Sequence, residues 1–534
     1  MGQRPAGDVL RIGFATVYAW RPHVEHMVFL ARLAQQAGHH AAFLSCDGDL
    51  PACYTRELRD VRPDWMECML CRAGGVRSYT RHGVSSIGEL AGAGTEPVPH
   101  AAEWAFSSAS TLGRFESASD YESDEFTQLR DRLTPAVAIT YDAATAWIRR
   151  ERLDAVCVFN GRIDATRAIF EAARAQGVRV VSLERSWFGD GIQLLPEENC
   201  LGLDNVNAFA REWSGRPLTA RQARVAAARI ASRITGTSVT EWRSYNQQAQ
   251  HHAWPVAGGR RRVLLLPGSL NEVFGVPQWT SAWPDPIQAY EAVMRQLGLD
   301  ARDVVLRCHP NWAEKIGKRD GGLAERHYVQ WARARGIHVI ASGERASTMS
   351  LIAACDAVLV ANSSAALEAA AMGKQVIATA PATYQAAGFR TDASHPGRLE
   401  GLRLDVDLAP PQLLAAQDRL RRGALRFSYA MTHRLPQYVR HVKAVSSSEY
   451  RYAPGADPAR LVELIRTGRL LPDDGEAAPD NAAEDEVVAR MRAGDWEGLR
   501  AQDGADAAPA EKVRRRWLFQ PIDFVRKQMP VGDR

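Results

Sequence analysis

One stretch, Ser350 to Ala380 (SLIAACDAVLVANSSAALEAAAMGKQVIATA), narrows what this chain can fold into more than any other. Ala357 to Val360 is apolar at every position. A strand of that kind has no wet face, so helices must cover it on both sides, as they do in parallel sheets. The turn Ala361-Asn362-Ser363-Ser364 then opens a helix, Gly373 suits the left-handed position that ends one, and Val376 to Ala378 returns to the sheet. The hydroxyls of Ser363 and Ser364, with the first N–H groups of the helix, make a seat for phosphate. Simple N-capping is the plainer role for the same two serines. Glu368 follows one turn after Ser364 and can point toward whatever occupies the turn.

The same alternation recurs along the chain. Val9 to Ala15 reads as a buried strand, followed by a helix over about His26 to Gly38 and a strand over Ala41 to Leu44. Ala155 to Phe159, a helix through Ala175 and Val178 to Leu183 repeat the pattern, and Val263 to Leu266, Val304 to Cys308 and Ile337 to Ala341 begin a second series. Two such series predict an α/β chain of two facing, doubly wound domains with a cleft between them. The boundaries expected are 8–245 for the first domain, with a Cys-rich irregular insert at 46–79, and 258–410 for the second. Helices over 411–445 should pack back on the first domain, and 446–534 should form an acidic linker, largely disordered or loosely helical over 472–511, and a basic aromatic tail. Residues 98–150 read as helical, with an exposed loop between Ser107 and Asp124.

Composition removes several function classes. A chain of 534 residues suits two or three domains. Its net charge of +4 is too mild for a nucleic-acid binder. No run approaches the ~18 apolar residues of a membrane-crossing helix, and the start, MGQRPAGDVLRIGFATV, lacks a secretory apolar core. The expected location is therefore the cytoplasm.

Candidate chemistry collects where strands end, because open α/β sheets bind ligands at their carboxyl edges. Arg307-Cys308-His309-Pro310 ends one strand, and its guanidinium or imidazole can face the Ser363-Ser364 turn; satisfying a loop carbonyl is the other role open to His309. Gly268 and Ser269 allow close backbone approach after the Val263 strand, where Asn271 and Glu272 offer polar groups and Asn271 can instead cap a helix. In the first series Asn160 and Arg162 follow one strand and Glu184 the next. Glu184 is the expected acid or base, with a structural pairing to Arg162 or Arg185 as the alternative. His23 and His26, after the first strand, are weaker candidates for the acceptor side.

Taken in order, Asn160-Gly161-Arg162, Glu184, Arg307 with His309-Pro310, and Ser363 through Glu368 resemble the His-Pro and Ser-Ser donor motifs of bacterial sialyl- and polysialyltransferases. They are similar as well to the wider capsule polysaccharide biosynthesis family, which includes the retaining β-Kdo transferases. The resemblance covers roughly residues 8–440. It implies a GT-B architecture and a glycosyltransferase of surface polysaccharide synthesis. It further implies a CMP-linked, Kdo- or sialic-acid-like sugar held mainly by the second domain, a glycan or glycolipid acceptor, and no catalytic cofactor or metal. Retaining members use a carboxylate near the first strand of that domain, where this chain has Asn271 followed by Glu272. An amide cannot form the glycosyl ester of a double displacement. Either Glu272 takes that role, or the enzyme inverts and needs only one base. A CDP-glycerol-type transferase and a non-catalytic scaffold of an assembly complex are the alternatives.

Two features stand outside this pattern. Cys46, Cys53, Cys68 and Cys71 have the spacing C-x6-C-x14-C-x2-C, which suits a structural tetrahedral zinc; ordinary cysteines or an iron–sulfur cluster are the alternatives. The segment 512–527 mixes basic with aromatic and aliphatic residues, as a peripheral contact at the inner face of a membrane would. Docking on its own domain is its other reading.

Overall fold

The computed structural model describes residues 9–59, 62–92, 98–187, 191–237, 249–315, 319–446, 449–470, 479–501 and 510–528. Its frame is a pair of doubly wound sheets. The first contains β1 (Arg11–Ala15), β2 (His40–Ser45), β3 (Val84–Ser86), β4 (Ala155–Phe159), β5 (Arg179–Arg185) and β6 (Gly191–Pro196). The second contains β7 (Val263–Leu266), β8 (Val304–Arg307), β9 (His338–Ile340), β10 (Ala357–Val360), β11 (Gln375–Ala378) and β12 (Arg390–Asp392). A late strand, β13 (Pro436–Val439), returns to the first sheet.

The strand orders are β13-β6-β5-β4-β1-β2-β3 and β12-β11-β10-β7-β8-β9. Each sheet starts in its middle and grows outward in both directions, so the direction of winding switches between β1 and β4 and between β7 and β10. At a switch point two strand-end loops part and leave a crevice. All pairings in the second sheet are parallel, whereas β6 and β13 run antiparallel at the edge of the first. β4, β7, β8, β10 and β11 are buried at every position, which explains why all are apolar apart from Arg307 at the end of β8 and Gln375 at the start of β11. Gly13 in β1 is fitted to its cover: a Cβ there would lie 2.5 Å from the ring of Trp147, which the Asp124–Glu151 helix lays against the sheet. The two sheets face each other with their carboxyl edges across one cleft, which is the GT-B architecture.

Several local expectations need correction. Residues 46–79 are not irregular: they carry the Tyr54–Arg59 and Asp64–Gly74 helices. The stretch from Ser107 is no exposed loop either, since the Ala101–Gly113 helix buries Ser108 and Ser110, and Phe115 and Glu116 beyond it are 1% exposed. The Pro410–Tyr429 helix packs mainly on the Ala220–Ile234 and Ala366–Ala371 helices, and the chain then enters the first sheet as β13 rather than continuing as helix.

Three further strands, β14 (Val442–Ser446), β15 (Glu449–Tyr452) and β16 (Glu511–Lys512), form a small antiparallel sheet. In the stretch read as disordered, the Asn481–Arg492 helix docks on the second core through Val487 and Met491. Its buried Glu484 accepts from the Leu218 N–H at 2.9 Å and from Arg426 at 2.7 Å. An Ala- and Gly-rich composition hid these anchors. Residues 472–478 and 502–509 of that stretch lie outside the described residues, as do 238–248.

Candidate active site

The cleft has a volume of about 550 Å³ and is lined from both sheets. From the second come Ser269, Arg307, His309, Ser363 and Ser364; from the first come Asn160, Arg162 and Glu184. The loops after β7 and β10 meet at the switch point. Gly268 is required there, because a Cβ on it would sit 1.8 Å from Asn362 Oδ1. That approach sets Ser269 beside the Asn362-Ser363-Ser364 turn. Ser363 Oγ accepts from the Ala365 N–H at 3.4 Å, and Ser364 is exposed at the cleft.

The cations of this wall differ from expectation. Arg307 is 3% exposed and spends its guanidinium on the carbonyls of Ala341, Glu344 and Ala346, so it braces the loop after β9 rather than reaching toward the serines. The Nδ1 of His309 lies 2.7 Å from Asn311 Oδ1 and 3.2 Å from the Asn311 N–H, capping the short turn that Pro310 starts. Burial pushes the His309 pKa down to about 4; the Asn311 contact opposes the shift, and the positive Arg307 and Arg114 add to it. His309 is therefore a neutral ring at neutral pH, not a cation.

Glu368 does not line the cleft. It is fully buried and paired with the Nε of Arg233, whose side chain does line the cleft. Arg233, in the last turn of the Ala220–Ile234 helix, is the cation that sequence reasoning missed. No local motif marks it, and its partner is distant in the chain.

Glu184 holds the opposite wall. One carboxylate oxygen lies 2.8 Å from His23 Nε2 and accepts the Arg185 N–H at 3.0 Å; the other accepts from Asn160 Nδ2 at 3.0 Å. Asn160 reaches it from a left-handed turn, at φ 64°, a conformation Asn tolerates better than most residues. Burial alone would raise the Glu184 pKa, but His23 and these hydrogen bonds outweigh it and hold the carboxyl below its ordinary value. His23 and His26 start the His23–Gln36 helix, one turn apart, and both are buried behind Glu184 rather than in the cleft. Burial drives the His26 pKa well below normal, and neighbouring His23 and Arg185 push the same way. They form a supporting layer, not an acceptor surface.

Asn271 is 6% exposed and absent from the cleft wall; its carbonyl accepts from Ser110 at 2.8 Å and Thr111 at 3.2 Å. Glu272, next in the chain, is exposed and does line the cleft. The position expected to hold a nucleophile is thus a bridge between domains. Arg162 joins the same bridge, donating to Ser107 at 2.7 Å, Thr111 at 3.0 Å and the Glu272 carbonyl at 3.2 Å. Beside it Arg114 donates to the carbonyls of Asn311 and Glu314, each at 2.7 Å, and Glu116 accepts from Tyr328 Oη at 3.0 Å and the Leu270 N–H at 3.1 Å. Tyr121 stacks on Phe274 at 3.6 Å. The stretch read as a loop is a clasp that ties the two domains together.

Among the described residues, no group of three or more His, Cys, Asp or Glu side chains is placed to hold a metal ion. Cys46, Cys53, Cys68 and Cys71 are free thiols in one corner of the first domain. Cys68 lies beside Gly48 and 3.6 Å from Arg56 Nη1. Burial raises the pKa of Cys46 and Cys53 and pushes that of Cys71 up to about 11. The zinc reading asks for four sulfur atoms around one point, and no such group is found among the described residues.

No protein-family model matches the chain, and no curated protein matches it. Among solved structures it is similar to the beta Kdo 2,4 transferase of Thermosulfurimonas dismutans KpsC, at 16% identity over 64% of this chain and 87% of that one, with a TM-score of 0.31. It is also similar to the glycosyltransferase SnogD from Streptomyces nogalater, at 15% identity over 86% of this chain and 100% of that one, TM-score 0.24. A third, the Methanocaldococcus jannaschii UDP-GlcNAc 2-epimerase, shares 10% identity over 73% of this chain and 91% of that one, TM-score 0.28. Likenesses this distant carry no assignment, and the fold rests on the strand orders above.

Proposed function

We propose that the chain is a glycosyltransferase that moves a sugar from a nucleotide donor, CMP-linked, to a glycan or glycolipid acceptor in surface polysaccharide synthesis, without a catalytic metal. One observation carries the reading. A carboxylate kept ionised by its neighbours, Glu184, faces a hydroxyl-rich strand-end turn across a cleft of about 550 Å³. Transfer needs a base for the acceptor hydroxyl and electrostatic support for the departing phosphate. Glu184 supplies the first. Ser269, Ser363, Ser364 and the Arg233 guanidinium supply the second, and Glu368 orients Arg233 rather than pointing toward the turn. With Asn271 outside the cleft, its amide is no sign of lost catalysis; Glu184 acting as base favours inversion, whereas Glu272, exposed at the cleft, is the carboxylate a double displacement would use.

Thermal-shift titrations with CMP, CDP, UDP and GDP test the donor class, because a ligand that binds only the folded state raises its melting temperature. CMP should shift it most. A larger shift with CDP would move the reading to a CDP-glycerol-type donor, one with UDP or GDP would reject the cytidine assignment, and none with any nucleotide would leave a scaffold.

A further inference from the structure

Ten large apolar side chains are exposed among the described residues, and five of them belong to just two segments: Trp65 (64%) and Met69 (53%), Trp517 (76%), Leu518 (45%) and Phe524 (67%). The first pair stands on one face of the Asp64–Gly74 helix, four positions apart. The other three belong to the C-terminal segment, which docks on that helix. Arg515 donates to the Ala73 carbonyl at its end, and the Arg516 N–H donates to the Ser78 carbonyl at 2.8 Å. The two segments thus meet at the Ala73 end of the helix, joining chain regions more than 400 residues apart. Trp and Phe this exposed, grouped and rimmed by arginine mark an interaction site rather than scattered surface.

Its charge selects the partner. The carboxylates of the two segments are matched: Asp64 by Arg56, Glu67 by Arg59 and Arg62, and Asp523 by Arg515. Arg72, Arg81 and Arg514 are exposed and make no ion pair among the described residues. Arg81 also stands close enough to Arg516 to oppose its charge. Apolar rings among unneutralised guanidinium groups complement a surface offering both hydrocarbon and negative charge.

We propose that the Asp64–Gly74 helix and the Trp517–Phe524 segment together seat the protein on an anionic lipid bilayer. The surface borders the carboxyl edge of the first sheet, since a Cβ on Gly74 would lie 3.2 Å from Ala19, in the loop after β1, and Arg21 of that loop donates to Tyr79 at 3.1 Å. The bilayer would therefore lie on the first-domain side of the cleft. Vesicle binding does not depend on the reaction catalysed, so it stands or falls apart from the glycosyl-transfer reading.

Co-sedimentation of the full chain with phosphatidylcholine vesicles, with and without phosphatidylglycerol, tests it. The chain should sediment with the anionic vesicles at low salt, and remain in solution with phosphatidylcholine alone or at high salt. Trp517→Ala with Phe524→Ala, and separately Trp65→Ala with Met69→Ala, should each weaken binding by about tenfold or more while the melting temperature is kept. Arg72→Glu with Arg514→Glu should weaken it too. Failure of the wild type to sediment, or wild-type binding by either apolar pair of variants, overturns the proposal. So does a dimer in solution that the same variants dissociate, which would make a second copy the occupant.

Discussion

Glu184 is fixed by three hydrogen bonds, and what they do to its proton sets its use. Held below the ordinary carboxylate value, it stays ionised into mild acid. If it takes the acceptor proton, the acid limb of turnover should fall below pH ~4.5 rather than near neutrality. By linkage the same depressed pKa contributes stability present above pH ~4.5 and lost as pH falls through the folded value. Glu184→Gln should lower turnover by about 10²-fold or more and leave nucleotide affinity unchanged by calorimetry; full activity in this variant would remove Glu184 as the base. For Arg233, replacement by Gln should weaken nucleotide binding by roughly 1.5–3 kcal/mol, the range for a hydrogen bond to a charged group. Equal affinity would place the phosphate elsewhere. Glu184 was legible because it ends an apolar strand. Its partner His23 was not, because 161 positions separate them. Glu368 was misread for a related reason: its spacing from Ser364 is right, but burial gave it to Arg233.

At the scale of elements, the turns after β7 and β10 depend on each other. Gly268→Ala would drive a methyl into Asn362, so it should cost about 1–3 kcal/mol of stability, as overpacking does, and weaken nucleotide binding, both read by thermal shift with and without CMP. An unchanged melting temperature would show that the loops part easily. The central strands were legible because burial on both faces forces unbroken apolar runs. β13 was not: Pro436-Gln-Tyr-Val is short, begins with proline and looks like the end of the helix before it. The Ser107–Asp124 stretch misled for the opposite reason, because polar residues usually mean solvent, and here Ser110, Arg114 and Glu116 are polar so as to bond across the domains.

For the whole molecule, Glu116 couples the two domains to pH. Burial raises its pKa to about 8, against the hydrogen bonds from Tyr328 and Leu270. Between pH ~4.5 and 8 the folded chain keeps a proton that the unfolded chain releases, so stability is full at the acid end and falls as pH rises, by at most about 1.4 kcal/mol per pH unit. Glu116→Gln should flatten the melting temperature over that window, and a slope equal to wild type would assign it to other groups. The return of β13 to the first sheet has a separate consequence, one of timing. During synthesis β6, an apolar strand, leaves the ribosome with its outer edge unpaired, and its partner follows 240 residues later, from Pro196 to Pro436. At roughly 5–20 residues per second that delay is on the order of 10–50 s. An open apolar edge invites pairing with other chains, so through those 240 residues of synthesis the first sheet, with six of its seven strands made, carries an edge that the nascent chain, or a chaperone, has to keep from its neighbours.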